Sequence, residues 1–415
     1  MPRIFIWFFV FLLTCFGNCS QKKTDVGSGE NALKTGLWRG VLSIQGHDLP
    51  FQLAFERKEG QYVVKLINGK EQLYLDEVFI RGDSIEIPMF IFDAVIKAKI
   101  VSEGQLQGAW IKLYADDYKI PFEATFGLDY RFKDSGKKAD ADFEGQWAVE
   151  FLRDTYNYMA VGIFKQEGKR IQGTFMTQYG DFRFLDGIVE GKTMKLSTFD
   201  GSHAFLFEAT IQKDGSLQGD FWSGKSGHTK WVAHNDDDFS LPDPLTLTHL
   251  KPGYEDITFQ FPNVDGRLIS LEDEQFRGKV VLVQILGSWC PNCMDETKFL
   301  AQWYEKHKHR GVEIIGLSFE RNDDFEYASA RVSRLQDKLK VHYPVLIAGS
   351  TSTESKEAAL PMLEKIVSFP TLIYLDRKHN IRRIHTGFSG PGTGHYFEQY
   401  IEEFNLFMDI LLEEK

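Results

Sequence analysis

At 415 residues the chain exceeds one average domain, and 43% apolar with 14% aromatic residues is enough to build real cores. Its 35 Phe and 15 Tyr favour strands. A net charge of −11, carried by dispersed acidic residues, argues against a nucleic-acid partner and serves solubility.

The chain opens "MPRIFIWFFVFLLTCFGNCSQKK", in which Arg3 precedes an apolar run from Ile4 to Leu13 and a polar stretch follows. That run is too short to span a bilayer as a helix but suits the core of an export signal. Residues 1–19 are therefore expected to send the chain to the cell envelope of a bacterium. Within them "FGNCS" resembles the end of a bacterial lipoprotein signal, although Phe16 stands where Leu is usual and Asn18 where Gly or Ala is usual. The resemblance implies lipidation of Cys19 and a membrane anchor. "LLTC", ending at Cys15, is a second candidate, and ordinary cleavage is the simpler alternative.

Residues 20–35, "SQKKTDVGSGENALKT", are polar with Gly and Ser and read as a flexible tether. From Leu37 to about Ala233, short alternating runs such as "WRGVLSI" and "QYVVKLI" have the period of half-buried strands. The stretch contains a repeat. Leu75-Asp76 answers Leu185-Asp186, Leu106-Gln107-Gly108 answers Leu217-Gln218-Gly219, and Trp38 answers Trp147, at an offset near 110 residues. Two antiparallel meanders of about eight strands are expected, over 36–127 and 143–233, each closed as a barrel or curled as a sandwich. Trp38 and Trp147 invite a ligand-site reading, but a Trp opening a meander more often plugs its own core. No catalytic or metal spacing occurs in residues 37–233.

Residues 234–253 form a linker, with three consecutive Asp and little periodicity. No EF-hand Gly or terminal Glu accompanies the Asp run, so it reads as solvated. From residue 254 to 415 the grammar changes. "ITFQF" and "RLISL" flank the turn "NVDG" as a hairpin, and "KVVLVQIL" is a run for a strand buried on both faces. Helices are expected over about 291–309, through "DDFEYASARVSRLQDKL", near 355–366 and over about 393–412. The strands "VEIIGLSF", "YPVLIA", "TLIYLD" and "IRRIHTGF" lie between them. This order predicts an α/β domain with a central mixed sheet and helices on both faces.

"GSWCPNCMDE" holds the two cysteines outside the leader, at a strand-to-helix junction. Cys290 falls at the helix N-terminus, where free N–H groups and the dipole favour a thiolate, and Cys293 lies one turn in. Cys290 would attack a disulfide and Cys293 would resolve the mixed disulfide. A metal site would need further Cys or His at short spacing; His307 and His309 lie over three turns along the helix and are expected to face solvent. A permanent bridge across so short a loop would stabilise little. Neither metal nor cofactor is expected.

Residues 254–415 resemble the thioredoxin-fold, redoxin-type reductases of the TlpA/ResA family. "WCPNC" matches the Trp-Cys-x-x-Cys motif, "SFPT" (368–371) the loop whose proline is cis and faces the cysteines, and "HYPVLIA" the segment before an inserted helix. The resemblance implies a docking role for Trp289, Pro291, Phe369 and Pro370, and proton transfer by Glu296, three residues after Cys293. A semi-buried carboxylate there could accept the Cys293 proton; Asp295 is expected to be its solvated neighbour. The chain departs from many relatives in placing Pro291 directly after the first cysteine, and Lys298 where a helix-kinking Pro is common.

The leading reading is an extracytoplasmic thiol–disulfide oxidoreductase. It would reduce disulfides in client proteins and draw electrons from a membrane thiol–disulfide donor. In one alternative the β repeats are a ligand- or protein-binding module with an accessory redox domain. The other, a thiol peroxidase, would want Thr and Pro three and seven residues before the reactive cysteine; Gly287 and Val283 stand there.

Overall fold

The computed structural model describes residues 33–414. Cys15, Cys19, the export signal and nearly all of the expected tether lie outside the described residues.

Each repeat folds as a nine-stranded antiparallel sheet, one strand more than the runs suggest. In the first, alternation drives the curl: Trp38, Leu42 and Ile44 of strand Gly36–Ile44 point inward while their neighbours stay wet. Neighbouring strands pair in sequence, and Gly36–Ile44 also pairs with the last strand, Lys119–Phe126, setting Trp38 opposite Phe126. Strands Glu71–Leu75 and Phe79–Arg81 remain unpaired edges, so this unit is a half-barrel. The second unit closes. Its strand Arg170–Thr177 pairs with both Tyr158–Glu167 and Leu185–Glu190, completing eight strands with the short Gly180–Asp181 appended. Gly187 permits close packing there, since a Cβ would lie 1.7 Å from the Lys195 carbonyl oxygen. Aromatic rings fill the barrel, with Phe207 stacked on Phe221 at 4.3 Å.

Trp38 and Trp147 are both buried core residues, and each indole N–H donates at 3.0 Å to the carbonyl four residues earlier, Lys34 or Phe143. The repeat in sequence is thus a repeat in structure. The two units are joined by Arg131, whose guanidinium donates to the carbonyls of Ile67 (2.6 Å), Ser197 (3.2 Å) and Pro50 (3.3 Å).

The C-terminal domain has a five-stranded sheet in the order β3-β2-β1-β4-β5. Strands β1 (Val280–Leu286), β2 (Val312–Glu320) and β3 (Val345–Ser350) are parallel; β4 (Thr371–Leu375) and β5 (Ile381–Thr386) run antiparallel to their neighbours. The helices are α1 (Pro291–His307), α2 (Phe325–Leu339), α3 (Thr353–Ala359) and α4 (His395–Glu413). Helices α1 and α2 link parallel strands that step in one direction, so right-handed crossovers place both on one face. There α4 joins them, Phe404 meeting Phe299 and Trp303 at 5.0 and 5.2 Å. The opposite face is covered by residues 257–276 and the chain around 359–363. The expectation of helices on both faces holds only for the short α3, which ends seven residues before the predicted 366.

The open edge of the half-barrel faces α2. Arg334 pairs with Glu77 and Arg331 with Asp93, both at 2.9 Å, and the Arg334 Nε–H donates to the Phe90 carbonyl at 2.6 Å. An exposed sheet edge is an aggregation hazard, and here another domain covers it.

Candidate redox site

Helix α1 starts at Pro291, at the position where a missing N–H costs nothing. Cys290 is its cap, with Sγ accepting from the Cys293 backbone N–H at 3.1 Å. The two cysteines are joined as a disulfide, their Cα atoms 5.2 Å apart. On reduction, the same N–H and the helix dipole are placed to stabilise a Cys290 thiolate. The Phe369–Pro370 bond is cis, and the Phe369 carbonyl oxygen lies 3.5 Å from Cys290 Sγ. Trp289 meets the Phe369 ring edge-on at 5.4 Å and donates from Nε1 to the Phe319 carbonyl at 2.9 Å. The fold thus brings Trp289, Cys290, Pro291, Cys293, Phe369 and Pro370 together.

Glu296 is buried completely, beyond the semi-burial expected. Its carboxyl is held by Gln284 Nε2, donating at 2.8 Å, and by the Tyr400 hydroxyl at 3.5 Å. Burial pushes it up to about 8, against the opposing pull of these two hydrogen bonds. Thr297 donates to Gln284 Oε1 at 3.2 Å, so the Gln284 amide has its N–H side turned to Glu296. Gln284 and Tyr400 were not foreseen. The signal for Gln284 was there, one amide inside an otherwise apolar strand.

Asp295 is not solvated. It pairs with Arg183 of the β-barrel, which also donates to the Pro291 carbonyl at 3.0 Å. Arg183 is itself buried, and Glu71, Asp200 and Asp181 surround it from the β side. Burial pushes Asp295 up to about 7, with the Arg183 charge opposing. Residues 37–233 have no catalytic spacing of their own, yet the fold carries this part of them onto the cysteine helix. His307 is half-buried rather than solvent-facing, stacked on Trp303 at 4.3 Å. His309 is exposed. Among the described residues no cluster of three or more His, Cys, Asp or Glu is arranged to hold a metal ion.

The Redoxin family model matches residues 252–400. The thiol-disulfide oxidoreductase ResA of Bacillus thuringiensis subsp. konkukian (strain 97-27) is 25% identical over 151 residues, covering 36% of this chain and 77% of that protein. ResA of Halalkalibacterium halodurans is 25% identical over 154 residues, covering 37% and 75%. A solved thiol-disulfide oxidoreductase from Bacteroides fragilis NCTC 9343 is 20% identical, covers 35% of this chain and 99% of its own, and has a TM-score of 0.27. Residues 252–400 are a redoxin domain of thioredoxin-like fold, and the chain is a thioredoxin-like oxidoreductase.

Proposed function

We propose that this chain works in the bacterial cell envelope, reducing disulfides in client proteins through Cys290 and Cys293. The observation that carries the reading is the position of Cys290, at the cap of α1 with the Cys293 N–H on its sulfur, while Glu296 on the same helix is buried and holds its proton. The Cys290 thiolate attacks one sulfur of the client disulfide. That S–S bond breaks, a mixed disulfide forms, and the departing client thiolate takes a proton. That proton comes from Glu296, and the carboxylate so formed accepts the Cys293 proton as Cys293 attacks Cys290 Sγ. The client leaves as a dithiol and the enzyme pair, now oxidised, holds a disulfide. Two electrons must be returned by a thiol–disulfide donor in the membrane.

Location rests on the leader, with Cys19 as the proposed anchor; no helix among the described residues is long and apolar enough to cross a membrane. Trp289, Pro291, Phe369 and Pro370 form the proposed docking surface around Cys290. The test is a Cys293→Ala variant expressed in cells. It should accumulate covalent complexes with envelope proteins through Cys290, dissolved by dithiothreitol. Failure to form any such complex, alongside failure of the reduced wild type to reduce a model disulfide, would remove the reading.

A further inference from the structure

Only 6% of Cys290 and none of Cys293 is exposed, so the pair is largely covered in this arrangement. Beside them the tip of a β-barrel hairpin, turning at Gln178 and Tyr179 between the paired Thr177 and Gly180, meets the redoxin domain at three points. The Tyr179 carbonyl accepts from Ser368 Oγ at 2.7 Å, next to Phe369–Pro370. The Asp181 carbonyl accepts from Asn292 Nδ2 at 3.2 Å, in the first turn of α1. Arg183 reaches the Pro291 carbonyl and Asp295. Between them Phe182 turns back to rings of the barrel, 5.4 Å from Phe205. At Gly180 the approach is so close that a Cβ would lie 2.0 Å from Asn292 Nδ2. The hairpin tip thus lies against both the cis-proline loop and the first turn of α1.

The charges on the two sides of this contact are unequal. On separation Arg183 keeps Glu71, Asp181 and Asp200, all on the β side. Asp295 has Arg183 as its one ion-pair partner among the described residues, and separation leaves it only the more distant Lys298 as a counter-charge. An arriving segment that brings its own cation restores what Asp295 loses; an acidic or neutral one does not.

We propose that the hairpin tip 177–183 occupies the client's place, and that the client is a disulfide-bearing segment whose basic side chain replaces Arg183 against Asp295 and the Pro291 carbonyl. The barrel segment holds no cysteine, so it covers the pair without reacting with it. The inference rests on the thiol–disulfide reading above and adds to it the class of client.

The experiment uses the full chain, reduced with dithiothreitol and then freed of it. Three peptides of one sequence each carry a cysteine disulfide-linked to a fluorogenic thiol, and differ in having Arg, Gln or Glu at the flanking positions. About 0.5 M salt suppresses the long-range pull of an acidic protein on basic peptides. The second-order rate constant should be about tenfold higher for the Arg than for the Glu peptide, and the ratio should fall to within about twofold in Asp295→Asn. Equal rates for the three peptides, or a preference that survives Asp295→Asn, overturns the proposal. An Arg183→Ala variant, with the cover loosened, separates the two readings. If it reduces the peptides with the Arg preference while the wild type is slow, the proposal stands; if neither protein reduces any peptide, the thiol–disulfide reading itself fails.

Discussion

Replacing Glu296 by Gln should make the protein more stable and less active, and the stability gain should depend on pH. An exposed Glu titrates near 4.5, whereas this one keeps its proton up to about 8 because burial excludes the carboxylate. The folded value is the raised one. The stability it contributes is therefore complete below 4.5 and is lost as pH climbs through the window to about 8, where the unfolded chain releases a proton that the fold retains. The slope is about 1.4 kcal/mol per pH unit, which sets a ceiling of about 3 kcal/mol at pH 7. Local relaxation and water entry lower this to about 1–3 kcal/mol. Gln keeps the shape and the neutral charge at every pH, so it removes the loss. Urea unfolding of the oxidised protein, followed by Trp fluorescence, should show wild type and Glu296→Gln nearly matched at pH 4.5, and the variant ahead by about 1–3 kcal/mol at pH 7. The same variant should reduce a model disulfide roughly 10–100-fold more slowly and accumulate mixed disulfide at Cys290, because Gln accepts no proton. A stability difference that stays flat with pH would refute the claim that burial holds Glu296 neutral.

Alkylation of the reduced protein at mildly acidic pH should label Cys290 before Cys293, since only the capping thiol gains from the helix N-terminus; equal rates in mass-spectrometric mapping would reverse the assignment. Gly180→Ala places a methyl group within 2.0 Å of Asn292 Nδ2 and should push the barrel segment off α1. Faster Cys290 alkylation in that variant is the expected result, and an unchanged rate would mean that the cover does not limit access. Arg131→Ala removes the hydrogen bonds to the Ile67, Ser197 and Pro50 carbonyls between the two β units, leaving Pro50 only the Ser197 hydroxyl, and should cost about 2–4 kcal/mol in denaturant unfolding. Cys19→Ser should release the protein from membranes into the soluble envelope fraction; unchanged membrane association would point to Cys15 or to a protein receptor.

The fold was legible wherever short-range pattern decides it. Alternation marked the strands of both β units, and the offset that pairs Trp38 with Trp147 marked their kinship. Closure was not legible. Whether an edge pairs with its own sheet or with something else depends on contacts far away in sequence. In the second unit Arg170–Thr177 finds Leu185–Glu190; in the first, the equivalent gap around Asp76 and Glu77 faces Arg334 and Lys338, more than 250 residues on. The carboxylates at that edge look like ordinary turn residues until α2 is in place. The helices do lie on both faces, but how they divide was not legible for a related reason: strand order, not strand count, decides the face on which a crossover lands.

At the site, the cysteines were readable because their chemistry is local: a strand end, a Pro at the first helical position and two thiols one turn apart. Asp295 was misread because exposure is a property of the assembled fold. The sequence placed it only next to Glu296, and without the β units its side chain has no partner to draw it out of water. Its partner is Arg183, in a β unit where no spacing marked a site. That pairing makes the β units more than spacers, since the residues holding Arg183 are drawn from both of them: Glu71 from the half-barrel, Asp200 and Asp181 from the barrel. A change in how the two β units pack against each other must therefore alter how firmly the cysteine pair is covered, even though neither unit contributes a reacting atom.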